Sequence, residues 1–203
     1  MNLIKKSTFI VLGIVLGLSA ISCKKEVKKE SAKFSIEPKT TTVNWIGYKT
    51  TDKIAVKGEF KEIKINNIKK DTSAIGAING TTFDLPISSL FSNDSIRDSK
   101  LKELFFGVMD ATVSLTGTLN LNDDGTGNID MKMNNVQHKI PITYTASGQL
   151  VELKGTMNIE DFKANAALES LSKACYDLHT GPDGVSKTWS EVGISAAIYL
   201  KKE

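Results

Sequence analysis

The strongest constraint on this chain is a period of two. Phe83, Leu85 and Ile87 share one side of an extended run, and Val113 and Leu115 share one side of another, opposite Thr112, Ser114 and Thr116. The same spacing recurs in Val43, Trp45 and Gly47, then in Val56, Gly58 and Phe60, with Ile63 and Ile65 reading as a continuation of that hairpin. Ile129, Met131 and Met133 repeat it, and it is longest in Val192, Ile194, Ala196, Ile198 and Leu200. Every second residue faces the same way along a strand, so an apolar residue at every second position describes strands with one buried face. Polar runs such as residues 122–128 and Ser147-Gly148 separate these segments. They read as turns between antiparallel neighbours.

Two stretches break the period. Within residues 83–119, Ser95 and Asp98 fit a capping box, Gly107 can supply a left-handed stop, and Leu101, Leu104 and Phe105 form one stripe on a helix. Residues 164–191 hold a second helix, with Asn165 as its cap and Gly181-Pro182-Asp183-Gly184 as its stop. Ala167, Leu168, Leu171, Ala174, Cys175 and Leu178 fall within about a third of its wheel. Such a stripe needs a partner surface, and one end of a barrel would provide it.

The N-terminus reads as a targeting segment. Lys5 and Lys6 precede an apolar run at residues 9–18, too short to span a bilayer as an ordinary helix, and Ala20-Ile21-Ser22 leads into Cys23. This is the anatomy of a bacterial lipoprotein signal, with residues 1–22 removed and Cys23 acylated. Several acyl chains make a stable anchor, because each buried methylene contributes about 0.8 kcal/mol. Residues 23–39 carry Lys-Lys-Glu twice and read as a lipidated tether, leaving residues 40–203 as the folded domain. Acylation of Cys23 leaves Cys175 as the one remaining cysteine, so the domain holds together without an internal disulfide.

The net charge of +3 falls further once Lys5 and Lys6 are removed, which gives no electrostatic basis for binding nucleic acid. His138 and His179 stand on different segments, and no nucleophile motif accompanies either, so both read as surface residues without a catalytic role. Residues 122–128 do not make a calcium loop. With Gly127 in sixth position, Met133 falls where the twelfth-position glutamate is required. No metal site and no cofactor is expected.

Several segments together resemble the YceI-like family of polyisoprenoid-binding, lipocalin-like proteins. They are Val56-Lys57-Gly58-Glu59-Phe60, then Arg97, Asp98, Leu101, Phe105 and Phe106, then residues 111–115, 139–144 and Glu160-Asp161-Phe162. Ala111 stands where the family pattern has proline, and the insert before the last strand is unusually long. The resemblance implies a mainly β fold: an eight-stranded antiparallel lipocalin-like barrel, a short helix between its middle strands and a helical insert before the last strand. It also implies an isoprenoid-type or other long apolar lipid as ligand. The apolar members of the alternating faces would line that site: Val43, Trp45, Val56, Phe60, Phe83, Leu85, Val113, Leu115, Ile194 and Ile198. Arg97 starts on the covered side of its helix, where a guanidinium must pair with a carboxylate at the rim or meet a ligand headgroup. The alternative is a barrel filled by its own side chains that acts through its surface on another envelope protein.

Replacing Cys23 with serine is expected to abolish membrane association and fatty-acid labelling. Unchanged labelling of the variant would refute the anchor.

Overall fold

The computed structural model describes residues 32–203. The signal segment, Cys23 and most of the tether lie outside the described residues. Within them the chain forms eleven strands: β1 (Phe34–Ile36), β2 (Thr42–Lys49), β3 (Ile54–Phe60), β4 (Lys64–Asn66), β5 (Thr82–Pro86), β6 (Leu90–Phe91), β7 (Ser114–Leu121), β8 (Thr126–Met133), β9 (Val136–Ser147), β10 (Leu150–Asn158) and β11 (Glu191–Lys202). The expected count of eight is therefore too low. Eight of these strands have five residues or more, and β1, β4 and β6 are short additions at the margins.

All eleven belong to one antiparallel sheet in the order β4-β5-β7-β8-β9-β10-β11-β2-β3-β6, with β1 on β11. The sheet curls until its ends nearly meet. β5 runs through a tight turn at Ile87–Ser89 into β6, which pairs Leu90 with Phe60 and Phe91 with Glu59 on β3. One continuous stretch of chain thus pairs with β7 at one end of the ladder and with β3 at the other. β4 pairs with β5, so Ile63 and Ile65 leave the β2–β3 hairpin instead of continuing it.

Each alternating run points its apolar set inward. Ile129, Met131, Met133, Leu153, Leu115 and Leu119 are all buried there. Residues 122–125 close the β7–β8 hairpin, with Gly125 at a φ of 84°. The domain begins earlier than residue 40, because Phe34–Ile36 pairs with the end of β11 and buries Ile36. The physical reason is a short alternation, Phe34 and Ile36, at the end of a charged run, with Lys202 over the Phe34 ring.

Three helices complete the domain: α1 (Ala74–Ile78), α2 (Ser95–Lys100) and α3 (Asn165–Ala174). The cap of α2 is Asp94, not Ser95; its carboxylate accepts the backbone N–H groups of Ile96 and Arg97. Asp98 is buried, and its carboxylate accepts the N–H and hydroxyl of Ser92 at 2.9 and 2.6 Å, tying α2 to the end of β6. The helix continues as a π-turn over Leu101–Phe105 and a 3-10 turn over Phe106–Val108, and Gly107 is not left-handed. Widening to the π period lets positions i, i+4 and i+5 face the sheet together. Leu101, Phe105 and Phe106 do so, and the two rings meet edge to face at 4.9 Å. Leu104, expected in that stripe, turns instead toward Ala166, Ser170 and Ala174 of α3. α3 starts at Asn165, so its cap position is Ala164, which offers no side-chain hydrogen bond.

Gly47 and Gly58 lie on the same two hairpin strands but differ in surroundings. A Cβ at Gly58 would press into the Trp45 indole and lie 2.7 Å from the Phe91 carbonyl oxygen, whereas one at Gly47 meets nothing within 4 Å. Gly58→Ala is expected to destabilise the domain by about 1–3 kcal/mol through overpacking. Gly47→Ala should leave chemical denaturation unchanged or shift it to higher denaturant, because alanine restricts the unfolded chain. Equal losses in the two variants would show that the interior is filled at both positions.

Candidate functional site

The curled sheet encloses a cavity of about 590 Å³. It runs the length of the sheet, from Ile36, Thr41 and Ile78 at one end to Lys49 and Trp189 at the other. This size lies within the range of small-molecule sites, which are mostly apolar with a few placed polar groups. Nine of the ten residues expected to face inward line it: Val43, Trp45, Val56, Phe60, Phe83, Leu85, Leu115, Ile194 and Ile198. Val113 does not. It is 82% exposed, because Ala111 takes a left-handed backbone with φ of 47° and β7 starts only at Ser114. The alternation stops at the strand and does not run through the bend that enters it.

The mouth is built by segments whose contribution the strand period did not show. Leu168, Leu171, Cys175, Leu178 and His179 come from α3 and the turn after it, and Thr188 and Trp189 from the segment leading to β11. The helical stripe in the insert, expected to cover one end of a barrel, lies at the open end of the sheet. Ordinary hydrogen bonds fix the insert to the β2–β3 turn. The Thr50 N–H donates to the Lys187 carbonyl at 2.9 Å, and the Trp189 indole N–H donates to the Thr50 carbonyl at 2.8 Å. The Thr51 hydroxyl donates to Asp183 at 2.7 Å. Lys53 and Lys187 each lie about 5 Å from the Trp189 ring, within cation–π range. Cys175 is buried and unpaired, and among the described residues no cluster could hold a metal ion.

Arg97 lies at the mouth. Its Nη2 is 3.1 Å from Asp94 Oδ2, so the carboxylate partner belongs to its own helix cap and not to a strand. The Arg97 backbone N–H foremost, and then the guanidinium charge, holds the Asp94 carboxyl below the usual carboxylate range. Trp45 Nε1 and Arg97 Nε are buried donors on cavity-lining residues, and neither has a hydrogen-bond partner among the described residues. Ile96 and Leu178 line the entrance while 71% and 60% exposed, which leaves the rim apolar as well as cationic.

Residues 34–197 match the YceI-like domain family. The chain belongs to the YceI-like family. Its similarity to solved structures extends to a polyisoprenoid binding domain from Saccharophagus degradans implicated in plant cell wall breakdown. That structure is 10% identical, with a TM-score of 0.59, over 84% of this chain and 98% of the other. Burkholderia cenocepacia BcnA is also 10% identical, with a TM-score of 0.52, over 82% of this chain and 99% of its own. At such identities the likeness is one of fold. No curated protein matches the sequence. The YceI-like fold therefore rests on both the sequence family and the curled antiparallel sheet.

His138 lies beside Asp161 at 3.5 Å, edge-on to Phe162, away from the mouth. His179 is not the surface residue expected from its place after a helix. Its Nδ1 is 2.6 Å from the Thr188 hydroxyl and its ring is half-buried. Burial, and then the charges of Lys49 and Lys100, push its pKa below the usual 6.5. The unfolded chain therefore binds this proton at a higher pH than the folded one. The associated stability is present above the ordinary histidine range and declines as pH falls through that value toward the lowered one. An NMR titration should place the His179 midpoint below 6.5, and Lys49→Met should move it up. A midpoint unaffected by Lys49→Met would show that the ammonium does not face the imidazole.

Proposed function

We propose that this YceI-like chain binds one long apolar lipid, of isoprenoid type, and sequesters or carries it in the cell envelope. An acylated Cys23 would hold it at a membrane, the outer membrane by preference, with the charged residues that follow Cys23 as tether. The protein acts by binding. The tail leaves water for the lumen, a transfer worth about 25 cal/mol per Å² of apolar surface removed from solvent.

The observation that carries this reading is the cavity itself, about 590 Å³ and lined from end to end by inward-facing apolar side chains. The alternative, a filled barrel acting through its surface, has no such space to explain. The polyisoprenoid-binding description of the Saccharophagus degradans neighbour supports the choice of ligand class. Small residues keep the lumen wide. Ala196 sits between Val43 and Leu153 in the same row of the sheet, and all three face the cavity.

Ala196→Trp tests the proposal because an indole at that position occupies the lumen. Calorimetric titration with geranylgeraniol should show binding to the parent domain and none to the variant. The melting temperature should hold within a few degrees, since filling real space avoids the ~1–3 kcal/mol cost of overpacking a closed core. A parent domain that binds no apolar lipid, joined to a variant that melts far lower, would overturn the reading.

A further inference from the structure

The cavity mouth carries more positive charge than its own acids neutralise. Its charged lining residues are Lys49, Arg97 and Lys100 against Asp94 alone, and Asp94 is committed to Arg97. Among the described residues neither Lys49 nor Lys100 has a carboxylate within salt-bridge distance. Lys49 Nζ donates to the Leu178 carbonyl at 3.2 Å and Lys100 Nζ to the Ala174 carbonyl at 3.1 Å. An ammonium has three donors, so each lysine is positioned by one bond and keeps two for another acceptor. The two carbonyls bracket the turn that follows α3, and His179 is the next residue along the chain. At the same mouth, Arg97 Nε is buried on the lining without an acceptor among the described residues.

An apolar sleeve for a hydrocarbon would gain nothing from half-buried lysines held in place at its opening. Desolvating such cations is costly unless an anion or an acceptor-rich group meets them. We infer that the mouth is an anion-recognition station formed by Lys49, Lys100 and Arg97, and that the ligand is an amphiphile whose apolar tail fills the lumen while its negatively charged oxygen-bearing head sits between the insert and α2. The inference rests on the lipid-binding reading and specifies the head that the reading leaves open. A phosphate and a carboxylate share this chemistry. Charge-assisted hydrogen bonds give the head its share of the affinity, and the tail supplies the rest.

Two pairs of probes with matched tails test this: geranylgeranyl phosphate against geranylgeraniol, and palmitate against hexadecanol, each titrated calorimetrically at low salt. The parent domain should bind the charged member of at least one pair about tenfold or more tightly than its alcohol. The pair showing the larger ratio identifies phosphate or carboxylate as the head. In the double variant Lys49→Gln/Lys100→Gln the ratio should collapse toward one. In Lys49→Arg/Lys100→Arg, which keeps both charges on the rim, it should persist, and this second variant separates loss of charge from loss of the insert's docking. Equal affinity for charged and neutral heads in the parent domain would overturn the inference while leaving lipid binding intact. So would a ratio that survives the glutamine variant. If none of the four probes binds, the lipid-binding reading fails, and this inference fails with it.

Discussion

Strand register is the constraint on which the rest of the structure depends. Leu153, Ala196, Val43 and Phe60 form one row across β10, β11, β2 and β3, and Gly155, Ile194, Trp45 and Gly58 form the next. Shifting any of these strands by one residue would turn its inward set to solvent. Within the second row a glycine stands at each end and bulky residues in the middle. The indole of Trp45 occupies the space over Gly58, while Ile142 crowds the position of a Cβ at Gly155. The interior is therefore packed where large side chains meet glycine, and open where Ala196 and Gly47 leave room. A lumen in this fold is the difference between the curvature of the sheet and the volume of the side chains that face into it.

Helical segments then decide how that lumen meets solvent. α1 seals one end with Ile78, which is fully buried. The π-turn after α2 presents Leu101, Phe105 and Phe106 to the interior, and the insert adds Leu168, Leu171 and Leu178. Polar contacts anchor both coverings: Asp98 on Ser92 for the first, Lys49 and Trp189 for the second. These same contacts bring cations to the opening. Structural anchoring and ligand recognition thus draw on one set of residues, because an ammonium that binds a carbonyl through one proton still offers the others.

Much of this was legible in the sequence. Alternating runs showed six of the eight long strands, β2, β3, β5, β7, β8 and β11, and nine of the ten inward-facing residues named from them, because a period of two follows from backbone geometry alone. The failures occurred where local conformation departs from a regular period. Val113 precedes its strand behind a left-handed Ala111, which no count of apolar positions reveals. Leu104 was misplaced because a π-turn does not follow the hundred-degree wheel. Phe34–Ile36 reads as tether in the sequence because these three residues become a strand only by pairing with β11, a partner far along the chain. Lys49, Lys100 and His179 are scattered in sequence, and only the docking of the insert brings them to one opening.

The central claim is that the curled sheet is a container in use. Native mass spectrometry tests it most directly, on the domain from Glu30 onward, purified under mild conditions without added lipid. A population heavier than the polypeptide by the mass of one lipid is expected, released on collisional activation and identifiable from its own mass. A single species at the mass of the bare polypeptide, joined to failure to take up any long apolar lipid offered to it, would contradict the account.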